Sequence, residues 1–161
     1  VLSGINFGRN AGVDVTYSGT IAAAMEATML GVPSIALSQV IADNAANWEV
    51  PDQHAEGIIR KLLAMAAWPR DVLMNVNFPA CAASEVKGAR VASHFGGKSS
   101  DDIMMRENRW GEPYFWVGHS VYSKYADNTD MTALEQNYIS ITPLHTDLTH
   151  YEMLREMQGS F

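Results

Sequence analysis

Close to the start of the chain, Ser3-Gly4-Ile5-Asn6 leads into a stretch rich in Gly, Asn and Asp, and Tyr17-Ser18-Gly19-Thr20 then opens an alanine-rich apolar run. Two kinds of chemistry suit these residue types at this spacing. The carboxamide oxygen of Asn6 is a neutral, hard donor of the sort that Mg²⁺ or Mn²⁺ accepts, which makes Asn6 a candidate metal ligand. Ser18, Gly19 and Thr20 stand where a helix begins, and the free N–H groups and dipole of a helix N-terminus favour a phosphate. Gly4 lets the backbone come close to an anion. A lone Ser-Gly-Thr reads as an ordinary helix cap, and lone glycines read as loop formers. The adjoining Ser-Gly-Ile-Asn strand end is what turns Gly4, Ser18, Gly19 and Thr20 into candidates for a phosphate cradle.

Holding these groups together requires a buried strand ending near residue 5, a long loop over 4–14, and a helix from Ser18 or Thr20 that is stopped by Gly31 and Pro33. Residues 34–38 form a short apolar strand, completing a strand, helix, strand unit of the right length for a parallel crossover. The loop then lies beyond the carboxyl end of a sheet strand, where open parallel sheets bind their ligands. A second helix is expected over 52–67, with Ala55, Ile58, Ile59, Leu62, Leu63 and Ala66 at helical spacing. Residues 72–78 alternate, Val72, Met74, Val76 and Phe78 on one side and Asn75 and Asn77 on the other. Alternating elements of this kind predict an α/β fold, a parallel sheet with helices on its faces. From residue 89 the pattern changes: strands over 90–95 and 114–118 read as an antiparallel hairpin excursion spanning 89–128. Helix 131–137, strand 138–142 and helix 149–157 complete a single domain over 1–161.

Eleven basic against eighteen acidic residues give a net charge of −7, with no basic cluster, which argues against a nucleic acid polymer as partner. A small anion is still compatible, because a few N–H groups or one metal ion outweigh distant carboxylates at short range. Cys81 is the only cysteine, as expected of a reducing compartment, and charges at Glu26, Arg60 and Lys61 interrupt the most apolar stretches. The expectation is a soluble, cytoplasmic protein without membrane contact. Val1 is not an initiator methionine and the chain opens on an apolar stretch, which suggests that N-terminal strands are lacking.

Other groupings read as structural. Ser99-Ser100-Asp101-Asp102 fits a solvated turn better than a metal site, and Gly97-Lys98-Ser99 lacks the first glycine and the setting of a P-loop. No Gly-x-Ser-x-Gly elbow occurs. His54, His94, His119, His145 and His150 show no metal-ligand spacing, and Trp110, Tyr114, Phe115 and Trp116 read as a subunit interface.

The run from Ser3 to Glu26 resembles the signature of the SurE family, metal-dependent nucleotidases that hydrolyse nucleoside monophosphates. The likeness continues through Asn75-Val76-Asn77-Phe78-Pro79, Lys87-Gly88-Ala89-Arg90-Val91, Tyr138-Ile139-Ser140-Ile141-Thr142-Pro143-Leu144 and Asp147-Leu148-Thr149, and so covers nearly the whole chain. It implies a Rossmann-like three-layer α/β/α domain, a divalent metal with Asn6 as one ligand, and a phosphate pocket lined by Gly4, Ser18, Gly19 and Thr20. It also implies a homodimer or homotetramer joined through the hairpin and a C-terminal arm. The family's paired aspartates and serine ligand lie upstream of Val1, and Asn128 stands where the family usually has glycine. The expected function is thus 5′/3′-nucleotidase, EC 3.1.3.5 in type, with these 161 residues inactive alone for want of the upstream carboxylates. The alternative is a non-catalytic oligomerising or phosphate-binding remnant.

Overall fold

The computed structural model describes residues 1–98, 100–118 and 126–160, and the backbone alone at 119–121. Along the chain it contains β1 (Leu2–Phe7), α1 (Gly19–Met29), β2 (Ile35–Gln39), β3 (Ile41–Ala42), β4 (Ala45–Ala46), α2 (Glu49–Leu63), β5 (Val72–Phe78) and β6 (Ala89–Val91). These are followed by β7 (Ser100–Glu107), β8 (Pro113–Val121), α3 (Asp130–Glu135), β9 (Ile139–His145) and α4 (Tyr151–Met157).

The main sheet has the order β1-β2-β5-β9-β6. The first three strands are parallel, whereas β9 runs against β5 and alongside β6. Segment 79–88 holds only a 3-10 turn, Ala83–Glu85, too little to carry the chain back over the sheet for another parallel strand. Val50 and Leu62 of α2 pack on Leu37, Met74, Val76 and Phe78, while Ile21 and Ala24 of α1 pack on Ala36 and Leu73. Alternate residues of one strand thus meet opposite helices, giving the α/β/α layering expected of the sequence.

Every residue of β5 is buried, and Asn75 and Asn77 lie on the side of Leu73 and α1, opposite Val72, Met74, Val76 and Phe78, as the alternation sets them. The structure differs from the sequence reading in three places. β1 is an edge strand among the described residues, with Leu2 and Phe7 exposed, where a buried strand was expected. The second helix is Glu49–Leu63 instead of 52–67, since Pro51 is compatible with a first helical turn and the Trp68 indole donates to the Val72 carbonyl at 2.8 Å. Ala89–Val91 belongs to the main sheet, and the antiparallel ladder itself joins Ser100–Glu107 to Pro113–Val121. The chain leaves the sheet there because Phe95 turns inward, into a cluster with Ala11, Met131 and Leu134. Residues 122–125, within the excursion expected over 89–128, lie outside the described residues.

At the other end of the chain, Asp147 accepts the Thr149 N–H at 2.8 Å and the Tyr151 hydroxyl, just before α4. Hydrogen bonds from Thr149 first, then Tyr151, hold its carboxyl down to about 2. Because the folded value lies below the ordinary 3.8, the stabilising bonds are complete above 3.8 and are lost as pH falls through about 2. An NMR titration should therefore place the Asp147 midpoint near 2, with amide exchange at Thr149 and Tyr151 quickening over that window; a midpoint at 3.8 would contradict the assignment.

Candidate phosphate and metal site

β1 carries Asn6 to the carboxyl edge of the sheet, and α1 starts beside it. Gly4 makes this possible: its φ is +120°, and a Cβ there would stand 2.2 Å from the Leu37 carbonyl oxygen of β2. Only glycine lets the strands lie this close, and the β1–β2 register shifts between Ser3 and Asn6 at this point. Asn6 is thereby aimed at the helix start, where its Oδ1 accepts the Thr20 hydroxyl at 3.3 Å and its Nδ2 donates to the Gly8 carbonyl at 2.9 Å. Ser18 is the N-cap, its Oγ accepting the Ile21 N–H at 3.1 Å. The N–H groups of Gly19 and Thr20, in the first helical turn, have no intrahelical acceptor. The structure thus brings Asn6, Ser18, Gly19 and Thr20 together, with Gly4 one step back as the residue that sets the strand path.

The loop between Asn6 and Ser18 is fixed by residues remote in sequence. Asn10 is buried, and its N–H donates to Asn77 Oδ1 at 2.8 Å while its Nδ2 donates to Ser38 Oγ at 2.8 Å. Its carbonyl accepts from Asn75 Nδ2 at 2.7 Å and Asn77 Nδ2 at 3.2 Å. Two residues on, the Gly12 N–H donates to Asp130 Oδ2 at 2.8 Å, and the Gly12 carbonyl accepts from His94 Nε2 at 2.9 Å. Since a carbonyl can only accept, Nε2 is the protonated ring nitrogen. Asp130, fully buried, takes the Phe95 and Met131 N–H groups on Oδ1 at 3.1 and 2.8 Å. Burial pushes its carboxyl above the ordinary value, opposed by those N–H groups and by His94. Asn10 and Asp130 were not singled out from sequence. The pair Asn75 and Asn77, two apart in an otherwise apolar strand, was the available signal.

Asn6 Oδ1 suits a hard divalent cation, but it is one donor. Among the described residues no group of three or more His, Cys, Asp or Glu could hold a metal ion. These residues therefore supply part of a ligand set, and the remaining oxygens would have to come from elsewhere. Asp101 is ion-paired with Lys98 at 2.7 Å, and Ser99 lies outside the described residues. Trp110, Tyr114, Phe115 and Trp116 sit exposed on the hairpin, on or beside the β7–β8 ladder. A groove of about 400 Å³ opens beside Ser18, with Val15, Ile21, His94 and Leu144 among its walls.

Residues 1–101 match the family model described as "Survival protein SurE". The chain belongs to the SurE family. Two curated SurE proteins, both named 5′-nucleotidase SurE, are similar along it. That of Brucella anthropi is 46% identical over 99% of this chain, and that of Paramagnetospirillum magneticum 44% identical over all of it. The chain spans 64% and 62% of the length of those two relatives. Its fold matches the crystal structure of the SurE protein of Aquifex aeolicus with a TM-score of 0.80 at 35% identity, covering 98% of this chain and 63% of that one. The Rossmann-like layering expected from the resemblance to SurE agrees with this match.

Proposed function

We propose that this SurE chain carries the phosphate-binding half of a 5′/3′-nucleotidase, a phosphomonoesterase that hydrolyses nucleoside monophosphates to nucleoside and orthophosphate with the help of a divalent cation, Mg²⁺ or Mn²⁺. The observation that carries this reading is the meeting of Asn6 Oδ1 with the Thr20 hydroxyl at the opening of α1. Support comes also from relatives named for that activity.

Asn6 Oδ1 would be one ligand of the cation, which would supply polarisation of the phosphoryl oxygens and activation of water. The chain's own residues do the rest of the holding. The N–H groups of Gly19 and Thr20, with the α1 dipole, bind charge on the phosphoryl oxygens. The Asn10 and Asp130 clamps keep the connecting loop in place before substrate arrives, so its ordering is not charged against binding. Water adds to phosphorus, the ester P–O bond breaks, and the nucleoside oxygen leaves with a proton. Association as a homodimer or homotetramer through the hairpin is part of the same reading, supported by exposed Ile103, Met105, Phe115 and Trp116, as is a cytoplasmic location. In the described residues no helix is long and apolar enough to cross a membrane.

The alternative, a non-catalytic oligomerising or phosphate-binding protein, draws on the absence of an acidic or histidine cluster among the described residues. Phosphate release separates the two. The 161-residue chain alone is expected to release none from mononucleotides with either cation. A chimera that places the upstream part of the B. anthropi protein ahead of Val1 is expected to release it, and EDTA to stop the reaction. A folded chimera inert with every divalent ion would refute the nucleotidase reading.

A further inference from the structure

We propose that Lys98 is the side-chain cation that meets the substrate phosphate at the start of α1. This deepens the nucleotidase reading and rests on it. A protein of net charge −7 that binds a phosphate dianion gains from a local positive side chain, beyond what helix N–H groups supply. Arg9, on the same loop, is ion-paired with Asp14 at 3.0 Å.

Lys98 comes up to Tyr17 from far along the chain, and several contacts fix its approach. Phe95 is anchored through its N–H to Asp130 and through its ring among Ala11, Met131 and Leu134. Its carbonyl oxygen lies against Gly12, 3.4 Å from where a Cβ would stand. Gly97 folds directly onto the Phe95 ring, so closely that a Cβ would come within 2.5 Å of it. The root of the hairpin is therefore packed against the loop that joins Asn6 to Ser18. The next residue, Lys98, then places its ammonium 5.3 Å from the centre of the Tyr17 ring, one residue before the N-cap of α1.

The Lys98 side chain is 23% exposed, and its ammonium is bonded to Asp101 at 2.7 Å. Asp101, first among the causes, holds its proton on more firmly than an ordinary lysine would. The arrangement is a charged group parked on Asp101 and beside Tyr17, the residue before the N-cap of α1. An arriving phosphate, with more charge than one carboxylate and with the Gly19 and Thr20 N–H groups to share, competes for it. Nothing in the core depends on Lys98, so its replacement leaves the fold intact.

The test is a titration of the 161-residue chain with inorganic phosphate, followed through the amide resonances of Gly19 and Thr20 by NMR. Lys98→Gln is expected to weaken binding about tenfold, as loss of a charge-assisted hydrogen bond does, with an unchanged thermal midpoint. Lys98→Arg should stay within about threefold of the parent, the charge being kept. Asp101→Asn should tighten binding by releasing the ammonium. If the parent binds phosphate and Lys98→Gln binds it equally well, the assignment of Lys98 is overturned while the nucleotidase reading stands. If phosphate leaves the Gly19 and Thr20 resonances of the parent unmoved, the phosphate cradle itself is overturned, and the role of Lys98 with it.

Discussion

Asp130→Ala is expected to destabilise the protein by about 3–5 kcal/mol, among the largest losses any single substitution here should give. Three backbone N–H groups, those of Gly12, Phe95 and Met131, converge on this one buried carboxylate. Each buried donor left without an acceptor costs about 1–3 kcal/mol, partly recovered where water can enter. Asp130→Asn offers a graded control. The amide oxygen can still serve Phe95 and Met131, but its NH₂ group then faces the Gly12 N–H, donor against donor. Its expected cost is about 1–3 kcal/mol, concentrated in the loop. Urea unfolding gives the totals, and amide exchange at Asn10 and Gly12 locates the damage. A loss under about 1 kcal/mol for Asp130→Ala would mean that the carboxylate is not what holds the loop.

Asn6→Ala is expected to leave the fold almost untouched and to reduce phosphate release by the chimeric enzyme by about a hundredfold or more, as loss of a metal-site ligand does. Among the described residues the asparagine side chain bonds to Thr20 and Gly8, in a partly buried position, so its removal should cost about 1 kcal/mol of stability. Asn6→Asp keeps an oxygen at the same place and adds charge, and should retain more activity than Asn6→Ala at saturating Mn²⁺. The separation of effects is the point of the pair. Unchanged turnover in Asn6→Ala, at unchanged stability, would remove Asn6 from the site.

Much of this arrangement was legible in the sequence. The neighbourhood of Asn6 and Ser18 followed from a strand end and a helix start joined by one loop, because local signals name both ends and a parallel crossover brings them together. The layers followed from the alternation of elements. What escaped was whatever depended on partners distant along the chain. Asn75 and Asn77 alternate with apolar residues just as they would on a half-exposed strand, and only the position of β5 between two helical layers turns them inward. Asp130 looked like any acidic residue opening a short helix. Two of its three partners, Gly12 and Phe95, come from distant stretches, and no periodicity within one stretch could announce them. The reversed direction of β9 was hidden similarly, since strand patterning carries no sign of which way the chain runs.

One feature of the clamp bears on how the molecule can move. Asp130 divides its two oxygens, Oδ2 holding Gly12 of the site loop and Oδ1 holding Phe95 at the hairpin root. A carboxylate is planar and rigid, so a tilt imposed at one oxygen is felt at the other. The root of the arm and the loop of the site thus share a single buried anchor, so that loosening it frees both at once.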